Sequence, residues 1–511
     1  MNHLRALKNL IKRFYKGYKL GQLRRYFTLF FLLLDKHSRK FLADFYFDTE
    51  YLSSFNEEHI PYHKRTVKGL HSLMGKNHFS VLIEGENERT YKSALEQASP
   101  LFEVVNENPQ GDYILFLPGG DTIRFDFLYR VEQFLNILKE ENAVIYCPAV
   151  LLDDYSDTPL PGMKREPALE LPFPYLFEAP YLTGLVIPKK FYREVKDLDP
   201  YARVLKLDAL GAKFYPLEAP LYGKRFEPQK PQLESLFNQY YAWKGLDWKV
   251  EPGLTCNSIR AIPPLKASSV QIIIPYKDQK ELTLKAVDAA LKQEGIKVEI
   301  TCVDNRSADT SIADILRTKG VDVLSVDEPF NYSRLNNLGS KRSKSELILF
   351  LNNDAILHPG AIAEMARWAH LPEIGMVGCL LFYPNGLVQH GGVRLAQKGG
   401  YEETMNWVHN DHKKPYDLSH LAKTIHITDA VTAASAMMRR DVFEKVGGFD
   451  DESFPIAYSD TRLACKILKE KLFSLYTPFA SGIHHESLTR KGNAIEDFDR
   501  SIFWHNRVND A

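Results

Sequence analysis

Five consecutive large apolar residues, Leu347 to Leu351, are followed at once by the polar triplet Asn352-Asn353-Asp354. The run is too short for a helix of normal length and does not alternate, so it predicts a strand buried on both faces, as in a parallel sheet. In open α/β sheets ligands collect beyond the carboxyl ends of the strands, which is where the triplet stands. Asp354 offers a hard oxygen suited to Mg2+ or Mn2+, and a divalent ion there could hold a diphosphate. Alone, the triplet also reads as an ordinary Asn/Asp turn, so its meaning depends on its company.

The same outline occurs a second time. Tyr113-Ile114-Leu115-Phe116-Leu117 runs into Pro118-Gly119-Gly120-Asp121, so that 111–120 parallels 345–354. Downstream, 185–195 parallels 436–446, each reading as strand, basic turn and short helix. Similarity at two separated places predicts an internal duplication. Residues 61–228 form one expected α/β unit and 268–511 the other, with 1–60 as a helical basic extension. Residues 229–267 are expected as a helical linker, helical from Leu233 to Trp243 and stretched at Pro263-Pro264. A chain of 511 residues, 44% hydrophobic, has material for two cores.

Lys+Arg and Asp+Glu both number 65, so nothing global points to nucleic acid. The five cysteines are scattered singly with no CxxC pair, which argues against a disulfide framework or a cysteine zinc site and fits a reducing, cytoplasmic location. Charge is concentrated at the start: basic residues from Arg5 to Arg25 precede the first acid, Asp35, and an apolar run fills 26–34. That run is too short to span a bilayer and lacks a signal-peptide cleavage site. Residues 1–34 therefore predict either peripheral contact with an anionic membrane or a solvated basic helix followed by a packed segment.

In the second unit, strands at 270–274, 298–303 and 321–326 alternate with helical stretches, the pattern of a doubly wound sheet with right-handed crossovers. No GxGxxG follows the first strand and no GxxxxGK[ST] loop occurs, which removes the main support for dinucleotide oxidoreductases and P-loop enzymes. A nucleotide could still bind through Asp304 accepting from a base and Arg334 near phosphate.

Ile274-Pro275-Tyr276-Lys277-Asp278, Val303-Asp304-Asn305-Arg306-Ser307, 330–339, and Phe350 to Asp354 stand in the order and spacing seen in glycosyltransferase family 2. So do Gln389-His390-Gly391-Gly392, 431–434, 446–450, Tyr458-Ser459-Asp460 and 484–490. The C-terminal half resembles in particular bacterial enzymes of surface-polysaccharide assembly that carry two GT-A domains in tandem. The resemblance implies an α/β chain of two GT-A (Rossmann-like) domains with mostly parallel sheets. It also implies inverting transfer of a sugar from a UDP-, dTDP- or GDP-linked donor to a hydroxyl of a glycan or lipid-linked glycan such as O-antigen or capsule, with Mn2+ or Mg2+.

Carried over by position, the resemblance assigns Pro275, Tyr276, Asp278, Asp304, Arg334, Asn337, Asn352 and Asn353 to the donor nucleotide, and Asp354 and His484 to the metal. His485 stands as the alternative to His484. Asn352 replaces an aspartate common in relatives, so metal affinity rests on Asp354. Asp460 matches the base that deprotonates the acceptor, although beside the helix 461–468 it also reads as an N-cap. His390, Gly391, Trp407 and Ser459 fall on the acceptor side; a glycine-rich turn with a packed indole explains the first three equally well.

In the first unit the same alignment puts the aspartate position on Gly120 and the histidine position on Gly223, with Asp121 one residue late and Asp199 only roughly where a base would be. That unit is expected to have lost transfer and to serve packing, acceptor holding or partner binding, the alternative being that the loop is offset by one residue and Asp121 is a working ligand. Two other classes stay open: a sugar nucleotidyltransferase, which lacks its Gly/Arg/Lys-rich loop after the first strand, and a silent scaffold, which the retained Asp354, Asp460 and His484 oppose.

Overall fold

The structure, a computed structural model, describes residues 77–97, 99, 101–147, 149–152, 159–164, 182–217, 221–224, 232–256, 258–398, 401–405 and 421–485. The basic extension 1–60 and Trp407 lie outside them. The described residues divide into two compact units, those up to 224 and those from Gln232 onward. Both are α/β.

In the second unit the side chains of Leu347–Leu351 are all fully buried. At roughly 1.5–3 kcal/mol for each such side chain, this strand has no alternative but the centre of a sheet covered on both faces. Its sheet runs Asp322–Ser325, Lys297–Asp304, Ser269–Tyr276, Leu347–Leu351, Ser435–Arg439, Ile374–Phe382, Phe473–His484, Ala355–Leu357. The first four strands are parallel, and the pairings of Ser435–Arg439 on either side are antiparallel. The sheet is thus mixed, parallel through its leading half. Strand order reverses between Ser269–Tyr276 and Leu347–Leu351, which makes their carboxyl ends the switch point where such sheets build sites.

The first unit repeats this plan: Phe102–Val105, Phe79–Glu84, Tyr113–Pro118, Val186–Pro188, Ala143–Tyr146, Lys213–Pro216 lie in order, with the same succession of parallel and antiparallel pairings as the six strands from Lys297–Asp304 to Phe473–His484. Its core gathers Val81, Leu115, Leu117, Phe127, Val131 and Ile145. A shared detail supports the correspondence. The amide of Lys189 donates to Asp112 O at 2.8 Å and that of Arg440 to Glu346 O at 2.9 Å, each at the start of the helix after the antiparallel strand.

Arg440 is buried and donates to Ser345 O (2.7 Å), Ser340 O (2.7 Å) and Gln271 Oε1 (2.8 Å), with its pKa lowered by burial. Arg440→Leu is expected to lower stability by about 3 kcal/mol, because three buried acceptors lose their donor at ~1 kcal/mol each. The fall in thermal midpoint of the full chain measures it.

The segment expected as a linker is built into the second unit. Helix Leu233–Trp243 leads to the hairpin Lys249–Pro252 and Ile259–Ile262. Trp248 meets Trp368 edge-on at 5.5 Å, and Arg260 reaches the buried Glu364 at 3.0 Å while lying over the Phe479 ring. Residues 263–268, between the hairpin and strand Ser269–Tyr276, carry no regular secondary structure.

Candidate active site

Pro275 and Tyr276 end strand Ser269–Tyr276, paired with Val303 and Asp304. The Tyr276 ring is buried, and burial together with Asp304 raises its phenol well above the ordinary value. Asp278 and Gln279 then take left-handed backbone conformations, φ 55 and 52, so the chain turns sharply. The Asp278 carboxylate accepts from the amides of Ala308 (2.7 Å) and Asp309 (3.3 Å), and its own amide donates to Ser307 Oγ. Asp304 accepts from the Ser307 amide at 3.1 Å. Asp278 therefore ties the loop after Ser269–Tyr276 to the loop after Lys297–Asp304.

Arg334, in the first turn of helix Tyr332–Ser340, is held by Glu328, with Asp451 at 3.7 Å. Asn337 faces elsewhere: its Nδ2 donates to Phe449 O (2.9 Å) and its Oδ1 accepts from Phe449 N (3.0 Å). These two bonds clamp the 448–449 turn to helix Tyr332–Ser340. Asn337→Ala is expected to leave nucleotide affinity unchanged and to lower stability by about 1–2 kcal/mol; titration of a nucleoside diphosphate and a thermal melt separate the two effects.

At the end of Leu347–Leu351 the Asn352 amide donates to Ala434 O (3.0 Å), and Asn353 Nδ2 donates to Thr283 Oγ1 (2.9 Å). The short strand Ala355–Leu357 pairs antiparallel with the end of Phe473–His484, in the register Ala355 to His484. That register, not sequence proximity, brings Asp354 Oδ1 within 3.2 Å of His484 Nε2. Asn352 Nδ2 also lies 3.2 Å from Nε2, and His484 Nδ1 lies 2.9 Å from Gln389 Oε1. Burial pushes the Asp354 carboxyl up, but the hydrogen bond and charge of His484 outweigh it and hold the group below its ordinary value. His485 contributes its amide, which donates to Asp354 O. A carboxylate oxygen and an imidazole nitrogen side by side form a donor set that Mn2+ or Mg2+ fits. Among the described residues no group of three or more His, Cys, Asp or Glu converges, so such an ion would draw its remaining ligands from water or a bound diphosphate.

Asp460 is the second residue of helix Ser459–Lys469, whose N-cap is Tyr458 at φ 56, so the N-cap expectation is corrected. Its Oδ2 accepts from the Ala433 amide (3.1 Å) and its Oδ1 from the Thr461 amide (2.8 Å). Because the next carbonyl, Ala434 O, takes the Asn352 amide, the 431–434 turn links the Asp460 carboxylate to the Asp354 strand end. Ser459 and His390 are buried, 4% and 3% exposed, and Gly391 is buried too. His390 Nε2 accepts from the Thr432 amide at 3.4 Å. Sequence reading missed Glu328 as the partner of Arg334 and Thr283 as that of Asn353; neither contact leaves a spacing signal.

In the first unit, Thr122–Ile123 pairs with Tyr222–Lys224 in the register Thr122 to Gly223. The residue before the short strand is Asp121, so Asp121, not Gly120, occupies the position of Asp354; the turn is one residue longer. Gly223 takes the place of His484. Asp121 is fully buried, and its carboxylate accepts from Tyr222 Oη at 2.7 Å. At the carboxyl ends of this sheet a cleft lined by Glu84, Phe116, Pro118 and Tyr222 is crossed by Arg203, ion-paired with Glu84 at 2.6 Å and stacked 3.7 Å over the Phe116 ring. Asp199 is an N-cap, accepting from the amides of Tyr201 and Ala202.

Residues 271–447 match the family model described as glycosyl transferase family 2. The chain is 36% identical over 236 residues to the O-antigen biosynthesis protein RfbC of Myxococcus xanthus, covering 45% of this chain and 18% of that protein. It is 26% identical over 148 residues to the N-acetylglucosaminyl-diphospho-decaprenol L-rhamnosyltransferase of Mycobacterium tuberculosis, covering 27% and 47%. The chain thus spans less than half the length of either relative. Among solved structures, the mannosyltransferase PcManGT from Pyrobaculum calidifontis in complex with GDP-Man and Mn2+ overlaps 61% of this chain and 75% of its own at 16% identity and TM-score 0.36, too loosely to bear on the site. The second unit carries a glycosyltransferase domain of family 2, over residues 271–447.

Proposed function

We propose that residues 268–511 transfer a sugar, with inversion, from a nucleotide-sugar to a hydroxyl of a growing surface glycan, using a divalent cation. The observation that carries this reading is the 3.2 Å approach of Asp354 Oδ1 and His484 Nε2 at the switch point of a family 2 domain. The nucleotide lies across the ends of the first two strands, against Tyr276 and Asp304, with Arg334 toward its phosphates. Inversion is one displacement: the acceptor oxygen bonds to the anomeric carbon as the bond to the diphosphate oxygen breaks, and Asp460 takes the hydroxyl proton. A cation held by Asp354 and His484 would supply countercharge to the departing diphosphate. Asn352 keeps the strand end in register with the 431–434 turn.

The first unit, on this proposal, is a diverged copy that no longer transfers, since Asp121 is tied to Tyr222, its histidine is replaced by Gly223, and Arg203 with Glu84 crosses its cleft. Use of nucleotide-sugars places the protein in the cytoplasm, with residues 1–34 against the inner membrane; among the described residues no helix is long and apolar enough to cross one. The test is release of nucleoside diphosphate from a panel of UDP-, dTDP- and GDP-sugars with Mn2+ or Mg2+ and then EDTA, in the presence of lipid-linked glycan acceptors. Metal-dependent turnover of one donor is expected. Failure of every donor to bind with metal present would favour a silent scaffold.

A further inference from the structure

Residue 433 is held by both of its backbone groups. Its amide donates to Asp460 Oδ2 at 3.1 Å, and its carbonyl accepts from the hydroxyl of Tyr332 at 2.8 Å. Tyr332 opens helix Tyr332–Ser340, two places before Arg334, and its half-buried ring meets Phe449 edge-on at 6.1 Å. Residues two apart on a helix do not face the same way. One helical turn therefore leaves Arg334 at the surface and sends the Tyr332 hydroxyl in to the 431–434 turn.

The same helix is tied to the loop that leads into Asp460. Asn331 Nδ2 donates to Asp451 O (2.8 Å), and the fully buried Ser333 donates through Oγ to Phe454 O (2.5 Å) and through its amide to Pro455 O (3.2 Å). The first unit has neither part. Residues 106–112 join its strands Phe102–Val105 and Tyr113–Pro118 where 305–346 stand in the second unit, and 196–199 join its helices Lys189–Val195 and Pro200–Ala209 where 446–458 stand. Its sheet forms without them, so helix and loop belong to what the second unit does and not to what the fold needs.

We propose that Tyr332 is a positioning residue for Asp460: by holding the carbonyl of residue 433 it aims the amide of that residue at the Asp460 carboxylate and fixes the orientation in which the base takes the acceptor proton. This deepens the reading given under Proposed function and rests on it. Because Tyr332 and Arg334 share one helical turn, the base is set by the same element that bears the donor-side cation.

The test compares, as full chains, wild type, Tyr332→Phe, Asp460→Asn and the double variant. Tyr332→Phe keeps the ring against Phe449 and removes only the hydroxyl; Tyr332→Met, apolar and adaptable, gives the same contrast should the phenylalanine variant not fold. Hydrogen exchange of the 431–434 amides, followed by mass spectrometry without ligand, reads the hold, and donor turnover with Mn2+ reads its consequence. In Tyr332→Phe, exchange at 431–434 is expected to be about 10-fold faster with the surrounding sheet unchanged. Its kcat is expected to be about 10-fold lower at unchanged donor KM and thermal midpoint, with no further loss when the change is added to Asp460→Asn, since both act through one carboxylate. Unchanged exchange, an unchanged kcat, or a loss that adds in full to that of Asp460→Asn would overturn the proposal. Faster exchange in a chain that turns over no donor would support the hold and overturn the transfer reading instead.

Discussion

Asp460→Asn is expected to lower kcat by about 10²–10⁴-fold and to leave nucleotide affinity unchanged, the span that general-base catalysis contributes. The neighbouring acids are committed elsewhere. Asp450 accepts from the Ser453 amide and lies 3.5 Å from Arg462, and Asp451 lies beside Arg334. Asparagine keeps an oxygen to accept from the Ala433 amide, so the 431–434 turn and its bond to Asn352 persist while the proton acceptor is lost. A loss confined to kcat, with thermal midpoint intact, assigns Asp460 to the chemical step; a loss confined to KM would make it a loop support.

Asp354→Asn is expected to reduce turnover by about 10²-fold or more, the rate equivalent of several kcal/mol of charge stabilisation, and to abolish the response to added Mn2+. The amide retains shape and removes the negative ligand. The pairing with His484 also has a pH consequence. Since the Asp354 carboxyl is held below its ordinary value, its contribution to stability is fully present above the ordinary aspartate range and is lost as pH falls through the lowered value, below about 4. His484→Ala is expected to reduce that acid sensitivity, as seen in thermal midpoints measured across pH.

The uninterrupted strands were the legible part of the fold. Leu347–Leu351 and Tyr113–Pro118 are apolar runs whose length and burial admit one reading, and helix 233–243 shows its period directly. Pairings were not legible, because register between distant segments leaves no local trace. Ala355 opposite His484 and Thr122 opposite Gly223 decide which aspartate stands at each strand end, and the second pairing moves the first unit's position from Gly120 to Asp121. Proximity in a motif was likewise a poor guide to what a polar side chain does. Asn337 and Asp278 sit within motif stretches, yet their polar groups hold backbone amides and carbonyls of neighbouring turns. Segment 233–262 reads as a connector because its partners, Glu364 and Trp368, lie about a hundred residues downstream.

The most direct measurement is equilibrium binding of UDP, dTDP and GDP to the full chain with Mn2+ or with EDTA, in wild type and Asp354→Asn. With one carboxylate and one imidazole converging among the described residues, metal and diphosphate should bind as a pair, so one nucleotide is expected to bind tightly with Mn2+ and to be weakened at least about 10-fold both by EDTA and by Asp354→Asn. Nucleotide affinity indifferent to metal and to Asp354 would contradict the assignment of this strand end as the site that holds the donor.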